Sequence, residues 1–556
     1  MKRIHGRTRW GRLAAIFGAV AVTALQCLTV PAFAGFELPP GERITNLPAI
    51  PRNMPQKEAY ELYDPVIGRN FDIKNLWMRA DLRVRPEMRN NACFGGAQGA
   101  GGTCNSFGGA NARGIAPGSG NKGNDMFVQQ WMRLGIGYDL SPDVNFYVEI
   151  IDSAVWGGNG SAVNAGNGGD PLNHNGSIAA NAGGGNGGRL GVRAAYMLIR
   201  NLADVQGLSL KVGRQYVIFG NHSLFGHFDW ANTGYSHDGV MLAYQTKKWD
   251  SYFGWFRNSE SDLGQAAPVG SGAPNIAGTG GQDANRDADM FIFYNQIKMV
   301  PGMIIEPFYV LYSNRYGSAD NAGQGLGTAK HSNQTRHMIG NRIEVRKGGF
   351  DFSNEVAWQF GQMGQVGACQ GEQKCLHINA WATRNWIGYT FYDTAWKTRL
   401  AFNLDYASGD SRNNTCTNGT NCKTANTFEN FFPTNHIHMG YMDVQAWKNM
   451  LSPSVNLQAR PSARDHIELW YTNLNLANSK DCWYRGAQGC YVFSNANNTK
   501  THIGDEIDVA YTRMFADGKV ALQAAYGTIF SGGYLTSTLN QTQNQHWAYM
   551  SLWMNF

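Results

Sequence analysis

Between Arg79 and Arg89 the chain sets a charge at every second position: Arg79, Asp81, Arg83, Arg85, Glu87 and Arg89. A planar guanidinium binds a carboxylate through two parallel hydrogen bonds, and a series of such weak sites lets an anion enter without trapping it. The same side chains could instead pair with one another in a ladder that ties strand faces together. Asp81 and Glu87 are the only local acids, so Arg79, Arg83 and Arg85 keep an excess of positive charge. That cluster is read as a conduction path for anions.

Other residue types invite chemistry that their context does not support. His436 and the 13 histidines overall suggest catalysis or a metal site. No nucleophile motif accompanies them, and a lone loop histidine is more often a polar contact, so neither an enzyme, a cofactor nor a metal is expected. Of the nine cysteines, eight fall into short-range pairs: Cys93 with Cys104, Cys369 with Cys375, Cys416 with Cys422, and Cys482 with Cys490. Each pair sits in Gly/Asn/Ser/Thr-rich sequence and none has the C-x2-C spacing of zinc or iron-sulfur frameworks. Loop-closing disulfides in an oxidising compartment are the economical reading. Cys375-Leu376-His377 lacks the register of covalent haem attachment.

The elements that must position these residues are strands. From Leu76 to Arg89 the even positions (Leu76, Met78, Ala80, Leu82, Val84, Pro86, Met88) are apolar, while the odd ones carry the charges, a period of two with one greasy face. Asp125 to Leu140 repeats it, and after Ser141-Pro142-Asp143 a partner strand runs from Val144 to Trp156. Further turns are read at 246–248, 300–302, 347–349, 393–394, 461–462 and 516–518, and long Gly/Asn-rich stretches at 90–124, 157–188, 259–287, 316–335, 363–375, 408–448, 477–502 and 531–545. Short turns alternating with long loops, with no helical segment to cover a sheet, is the pattern of an outer-membrane barrel with periplasmic turns and extracellular loops. The fold class is therefore all-β, a transmembrane antiparallel β-barrel of roughly 18 strands. Trp77, Tyr138, Trp156, Trp249, Tyr389, Trp396 and Trp553 suit interfacial girdles. The last strand ends on the aromatic Phe556, a signal suited to barrel-assembly machinery.

Composition fits this reading. The 556 residues are 43% hydrophobic and 12% aromatic, too apolar for a disordered chain. A mean hydropathy of -0.36 is too polar for a bundle of membrane helices. Lys2, Arg3, Arg7, Arg9 and Arg12, an apolar stretch from Leu13 to Val30 and Ala32-Phe33-Ala34 make residues 1–34 a signal peptide. Its removal takes five of 47 basic residues and none of 41 acidic ones, leaving 42 against 41, so the formal +6 shrinks to +1. No nucleic-acid partner is implied. Residues 35–74, Pro-rich and without alternation, read as a periplasmic extension, and 75–556 as the barrel.

Strand parity sends a further set to the lumen: Arg133, Lys211, Arg336, Arg342, Arg346, Lys397, Arg399 and Arg460, with Glu149, Glu344, Glu355, Asp405, Glu468, Glu506 and Asp508. For these, ladder and conduction path both stand.

Several stretches in order along the chain carry a family resemblance: Asp81–Asn91, the Arg133–Trp156 hairpin, Leu208–Gln215, Phe228–Gly234, Asp238-Gly239, Tyr406–Asp410, Phe432–His436 and Gly440–Asp443. With them the chain resembles the alginate-export family of outer-membrane porins. The resemblance implies an eighteen-stranded barrel in the Gram-negative outer membrane and an arginine-rich pathway for carboxylated sugars confined by acids. It also marks the loop from Phe219 to Asp238 as more than a spacer: a constriction or gate, or a packed brace of the lumen wall. Arg214 and Gln215 before it, and Asp229, Trp230, Asn232 and Asp238 within it, are the expected anchors. The expected function is a monomeric channel embedded in outer-membrane lipid, passing a hydrophilic anionic solute or polysaccharide. A general small-anion uptake porin is the alternative, and a barrel enzyme or surface scaffold the more distant one.

Overall fold

The computed structural model describes residues 73–91, 125–156, 190–230, 234–259, 288–314, 334–363, 376–410, 424–484, 490–492, 498–538 and 543–555. The expected signal peptide, nearly all of the expected periplasmic extension, and Phe556 lie outside them.

The alternation from Leu76 to Arg89 is one strand, β1 (Leu76–Asn90). It is followed by β2 (Asp125–Ser141), β3 (Val144–Val155), β4 (Leu190–Ile199), β5 (Leu208–Gln215), β6 (His237–Gln245), β7 (Trp249–Ser259), β8 (Ala288–Ile297) and β9 (Met303–Asn314). Then come β10 (Gln334–Lys347), β11 (Phe350–Met363), β12 (Leu376–Thr390), β13 (Arg399–Ala407), β14 (Met450–Ser462), β15 (Asp465–Leu476), β16 (His502–Phe515), β17 (Val520–Ser531) and β18 (Gln545–Asn555). Each pairs antiparallel with its neighbours in sequence, and β1 closes on β18 through registers running from Asp81↔Asn555 to Asn90↔His546. Closure removes the open sheet edge, so every wall strand has two partners for its backbone groups.

Short returns join alternate strands at one rim. Two of them use Gly302 at φ 75° and Gly348 at φ 58°, backbone conformations that a Cβ disfavours. Three details differ from expectation. Pro461 and Ser462 extend β14, so that return falls at 463–464. A return at 200–207, which carries no glycine-proline signal at its start, joins β4 to β5. Lys397 lies in the 391–398 return, exposed and at φ 45°, and so is not on the lumen wall.

The two faces are sorted as parity requires. Met78, Met132, Ile136, Phe293, Leu404 and Met550 point outward and are exposed, whereas Arg83, Arg85, Arg133, Glu149, Arg384 and Glu468 point inward and are buried. Trp156, Trp249, Tyr389 and Trp396 are exposed near strand ends, where interfacial rings belong. Trp77 and Trp553 depart from the girdle expectation. Trp77 stacks on Tyr147 with ring centroids 5.5 Å apart, and Trp553 is 6% exposed, its ring 5.9 Å from the Arg83 guanidinium. Both sit on the charged, inward parity.

The main hydrophobic core is inside the bore. Phe225, Phe228, Trp230, Phe432, Met442 and Trp447, all from connecting segments, pack against inward residues such as Met290, Phe308, Trp386 and Trp470. Two connections fold into the barrel and bury much of its inward face.

Candidate channel constriction

The wall beneath these segments is an ion-pair lattice built by register. Glu306, Arg342, Glu355, Arg384 and Asp405 face one another across β9 to β13, in an alternating row perpendicular to the strands. Arg342 is ion-paired to both Glu306 and Glu344, and Arg346 to Glu344 at 2.7 Å. Arg384 Nε donates to Asp405 at 3.1 Å, and Arg399 grips Asp351 through two bonds of 2.9 and 2.7 Å. Arg336 turns to the amides of Gln334 and Gln359 at 3.1 and 2.7 Å. Across β1 to β3, Arg79 pairs with Asp81 at 2.8 Å, Arg133 with Asp81 at 3.3 Å, and Arg89 with Glu87 at 2.9 Å. Glu149 accepts from Tyr147 at 2.6 Å and lies 3.7 Å from Arg79. Buried charges demand such partners, because each leaves water at a cost of several kcal/mol. Lys211 lies 4.1 Å from the ring centroid of Tyr196, while Arg460, at the turn end of β14, is exposed.

Arg83 and Arg85 are taken up differently. The strands β5 and β6 are short, of 8 and 9 residues, and between them the described residues of the connection, 216–230 and 234–236, turn into the bore. Arg83 donates to the main-chain carbonyls of Asp229 at 2.5 Å and Trp230 at 3.0 Å. Arg85 donates to the Trp230 carbonyl at 2.9 Å and lies 3.5 Å from the centroid of its ring. The Asp229 carboxylate meets Arg133 at 2.9 Å and Arg193 at 3.1 Å, and Arg193 also bonds the His227 carbonyl at 2.8 Å. Burial alone would raise the Asp229 carboxyl pKa. Arg133, His227 and Arg193 outweigh it and hold the acid below its ordinary range. Further along, the Ser223 hydroxyl donates to Glu355. The excess positive charge inferred for β1 is thus met by the loop.

Of the expected anchors, Asp229 and Trp230 hold the loop in the bore, and the Gln215 amide donates to the Gly213 and Gly239 carbonyls at its base, each at 3.2 Å. Arg214 and Asp238 face the other way. They pair with each other at 2.7 Å on the outward parity, Asp238 being exposed, and pinch the mouth of the loop from outside. Asn232 lies outside the described residues.

A second inward segment, residues 424–449, was expected as part of a solvated loop. It is buried almost throughout. Phe225 and Phe432 form a parallel bridge, with Gly226 N donating to Phe432 O at 2.8 Å and Phe432 N to Leu224 O at 3.0 Å. His436 stacks on Trp230 at 3.6 Å and 3°, and its Nδ1 lies 3.0 Å from Asp443. His438 donates from Nε2 to Asn221 O at 2.7 Å. The wall acids accept main-chain amides here: Tyr441 N donates to Asp508 at 3.2 Å and Met442 N to Glu506 at 3.0 Å, while the Tyr441 hydroxyl donates to Glu468 at 2.8 Å. Trp447 lies over Arg384, 4.5 Å from guanidinium to centroid. The signal for this segment was its apolar content, Phe428, Phe431, Phe432, Met439, Met442, Val444 and Trp447, too rich for a loop in water.

Cys482 is disulfide-bonded, and its expected partner Cys490 begins a short strand, Cys490–Val492, that pairs with Trp483–Tyr484. Cys93, Cys104, Cys369, Cys375, Cys416 and Cys422 lie outside the described residues. Among the described residues no group of three or more His, Cys, Asp or Glu is placed to hold a metal.

A closed eighteen-stranded barrel, apolar outside and charged within, with loops folded into its bore, defines a channel of porin architecture. The chain belongs to the alginate-export family, whose profile matches residues 159–549. No curated protein matches it. Among solved structures it is similar to OccK9 (OpdG) of Pseudomonas aeruginosa, at 11% identity and a TM-score of 0.47 over 87% of this chain and 99% of that one. It is also similar to OpdK of the same organism, solved with vanillate, at 8% identity and a TM-score of 0.47 over 86% and 98%. At that identity and superposition the likeness speaks to neither solute nor mechanism.

Proposed function

We propose that the protein is a passive channel of the Gram-negative outer membrane for hydrophilic anionic solutes, its bore set by the two inward segments. The observation that carries this is the inward parity of the arginines: Arg79 and Arg133 on β1 and β2, and Arg342, Arg346 and Arg399 on β10 and β13, lie on the lumen wall, each close to an acid that would keep its hold on a passing carboxylate weak and reversible. Family membership supports a carboxylated polysaccharide as cargo. The burial of the described residues of 216–236 and of 424–449 favours a second reading, uptake of small anions, because a polymer requires those segments to withdraw.

Purified protein in planar bilayers tests the first point: a reversal potential in a salt gradient should report anion preference, and cation preference overturns the reading. Liposome swelling with a monomeric uronate against an oligomeric one separates the two cargoes. Swelling by the monomer alone favours uptake, and swelling by both favours the polymer path.

A further inference from the structure

Among the described residues the outer face carries a group of polar side chains at mid-membrane depth, where an isolated barrel in lipid would place apolar ones. On β10 to β12 the outward positions Asn341, Asn354, Thr383 and Asn385 are polar and half-buried. They are compact by register, with Asn354 opposite Asn385 and Thr383 one outward step further along β12. Asn354 Nδ2 donates to Asn385 Oδ1 at 2.6 Å and to Thr383 Oγ1 at 3.5 Å. Asn385 Nδ2 donates to Thr383 Oγ1 at 3.2 Å and to Leu404 O at 3.1 Å, and the Thr383 hydroxyl donates to Asn385 Oδ1 at 3.4 Å. This leaves the Asn354 Oδ1, among the described residues, as the acceptor of this trio without a bond. Among the described residues Asn341 forms no side-chain hydrogen bond.

Their depth makes them costly. Asn354 stands four positions from Trp358, which faces Trp381, and four from Phe350, which faces Tyr389. All four aromatic side chains are exposed, and they mark the two interfacial rows. Four residues are about 13 Å of strand, so the patch lies midway through an apolar band about 25 Å tall. Mid-strand outward positions elsewhere are apolar, among them Leu82, Leu134, Leu242, Phe293, Leu404 and Met550. An amide in hydrocarbon has no water to satisfy its remaining donor and acceptor.

We propose that this patch is the interface of a two-fold homodimer in the membrane. A carboxamide is both donor and acceptor, so it is its own complement. A two-fold axis along the membrane normal places the same patch on both sides of the contact, whereas a ring would need a second polar face at the same depth. A second copy of this chain therefore supplies partners for the Asn341 carboxamide and for the Asn354 Oδ1, in place of the single barrel expected from the sequence.

The test is oxidative cross-linking of the full-length protein in native membranes. With Val356→Cys, at the centre of the patch, most of the protein should run as a covalent dimer that reductant dissolves; with Met132→Cys, on the opposite wall, it should match the unsubstituted protein. Heat-modifiable gel migration establishes that each variant is a folded barrel. No dimer with Val356→Cys above the Met132→Cys level overturns the proposal. In lipid nanodiscs, the triple variant Asn341→Leu, Asn354→Leu, Asn385→Leu should lower the dimer-to-monomer ratio at least tenfold. An unchanged ratio also overturns it.

Discussion

Arg83 and Arg85 point to main-chain carbonyls, an acceptor that a sequence does not display. Their parity was readable because the flanking residues alternate, but their partners come from a loop some 145 positions away, at Asp229 and Trp230. Replacing either by glutamine keeps one donor and removes the charge, which should weaken loop docking by about 2–4 kcal/mol. Greater open-state conductance and a lower thermal midpoint, with barrel migration on gels unchanged, are the expected readouts. His438 gives the constriction a pH dependence. Its imidazole is pushed well below its ordinary range by burial and then by Arg384, with His222 and Arg342 adding to the repulsion and only the Asn221 carbonyl opposing it. The docked segment thus holds neutral histidine, while the undocked one binds a proton below about pH 6.5. Docking is complete above that value and weakens as pH falls below it, until the docked imidazole itself titrates. Hydrogen-exchange protection factors in residues 424–449, which remove the intrinsic slowing of amide exchange in acid, should be lower at pH 5 than at pH 7.5. Asp229, held below the carboxylate range, stays ionised through that window. His438→Gln, which can still donate to Asn221, should reduce the pH effect, with His436, whose imidazole burial also pushes down, supplying the remainder; an undiminished effect would assign it elsewhere.

At the level of elements, the connections 216–236 and 424–449 behave as one body. They share the Phe225–Phe432 bridge, the Trp230–His436 stack and the bond from Thr434 N to His222 O at 2.9 Å. Trp230→Ala should therefore speed exchange in both segments together, and a double-mutant cycle with His436→Ala should return a coupling of about 0.5–1.5 kcal/mol. Exchange rising in only one segment would show that they move separately. The wall strands were readable from the sequence because period two persists for eight to seventeen residues at a time. Of the inward segments, the loop from Phe219 to Asp238 was marked by the family resemblance, whereas 424–449 was not, because a loop that packs inside a barrel has no period; its mark is apolar content without alternation, as in Phe428 to Phe432. Arg214 and Asp238, expected as anchors, pair across the base of the loop from the outward parity of β5 and β6.

For the whole molecule, lipid and lumen divide the chain into two solvents. An arginine at Leu404, exposed in mid-strand, should cost about 2–4 kcal/mol in unfolding from lipid vesicles, whereas one at Met126, at the loop end of β2, should cost about 0–1 kcal/mol. Equal costs would contradict the depth assigned to the apolar band. The alternating row Glu306, Arg342, Glu355, Arg384 and Asp405 bears on how such a wall is assembled. A slip of one residue between strands is rejected by the faces themselves, but a slip of two preserves every inward and outward position and escapes that check. Sliding β10 two places along β11 sets Glu344 opposite Glu355 and leaves Arg342 opposite Ala357, replacing an attraction by a repulsion inside a medium that screens neither. The charges that hold the finished wall thus also proofread it while it forms, strand by strand, against the errors that hydrophobicity cannot detect.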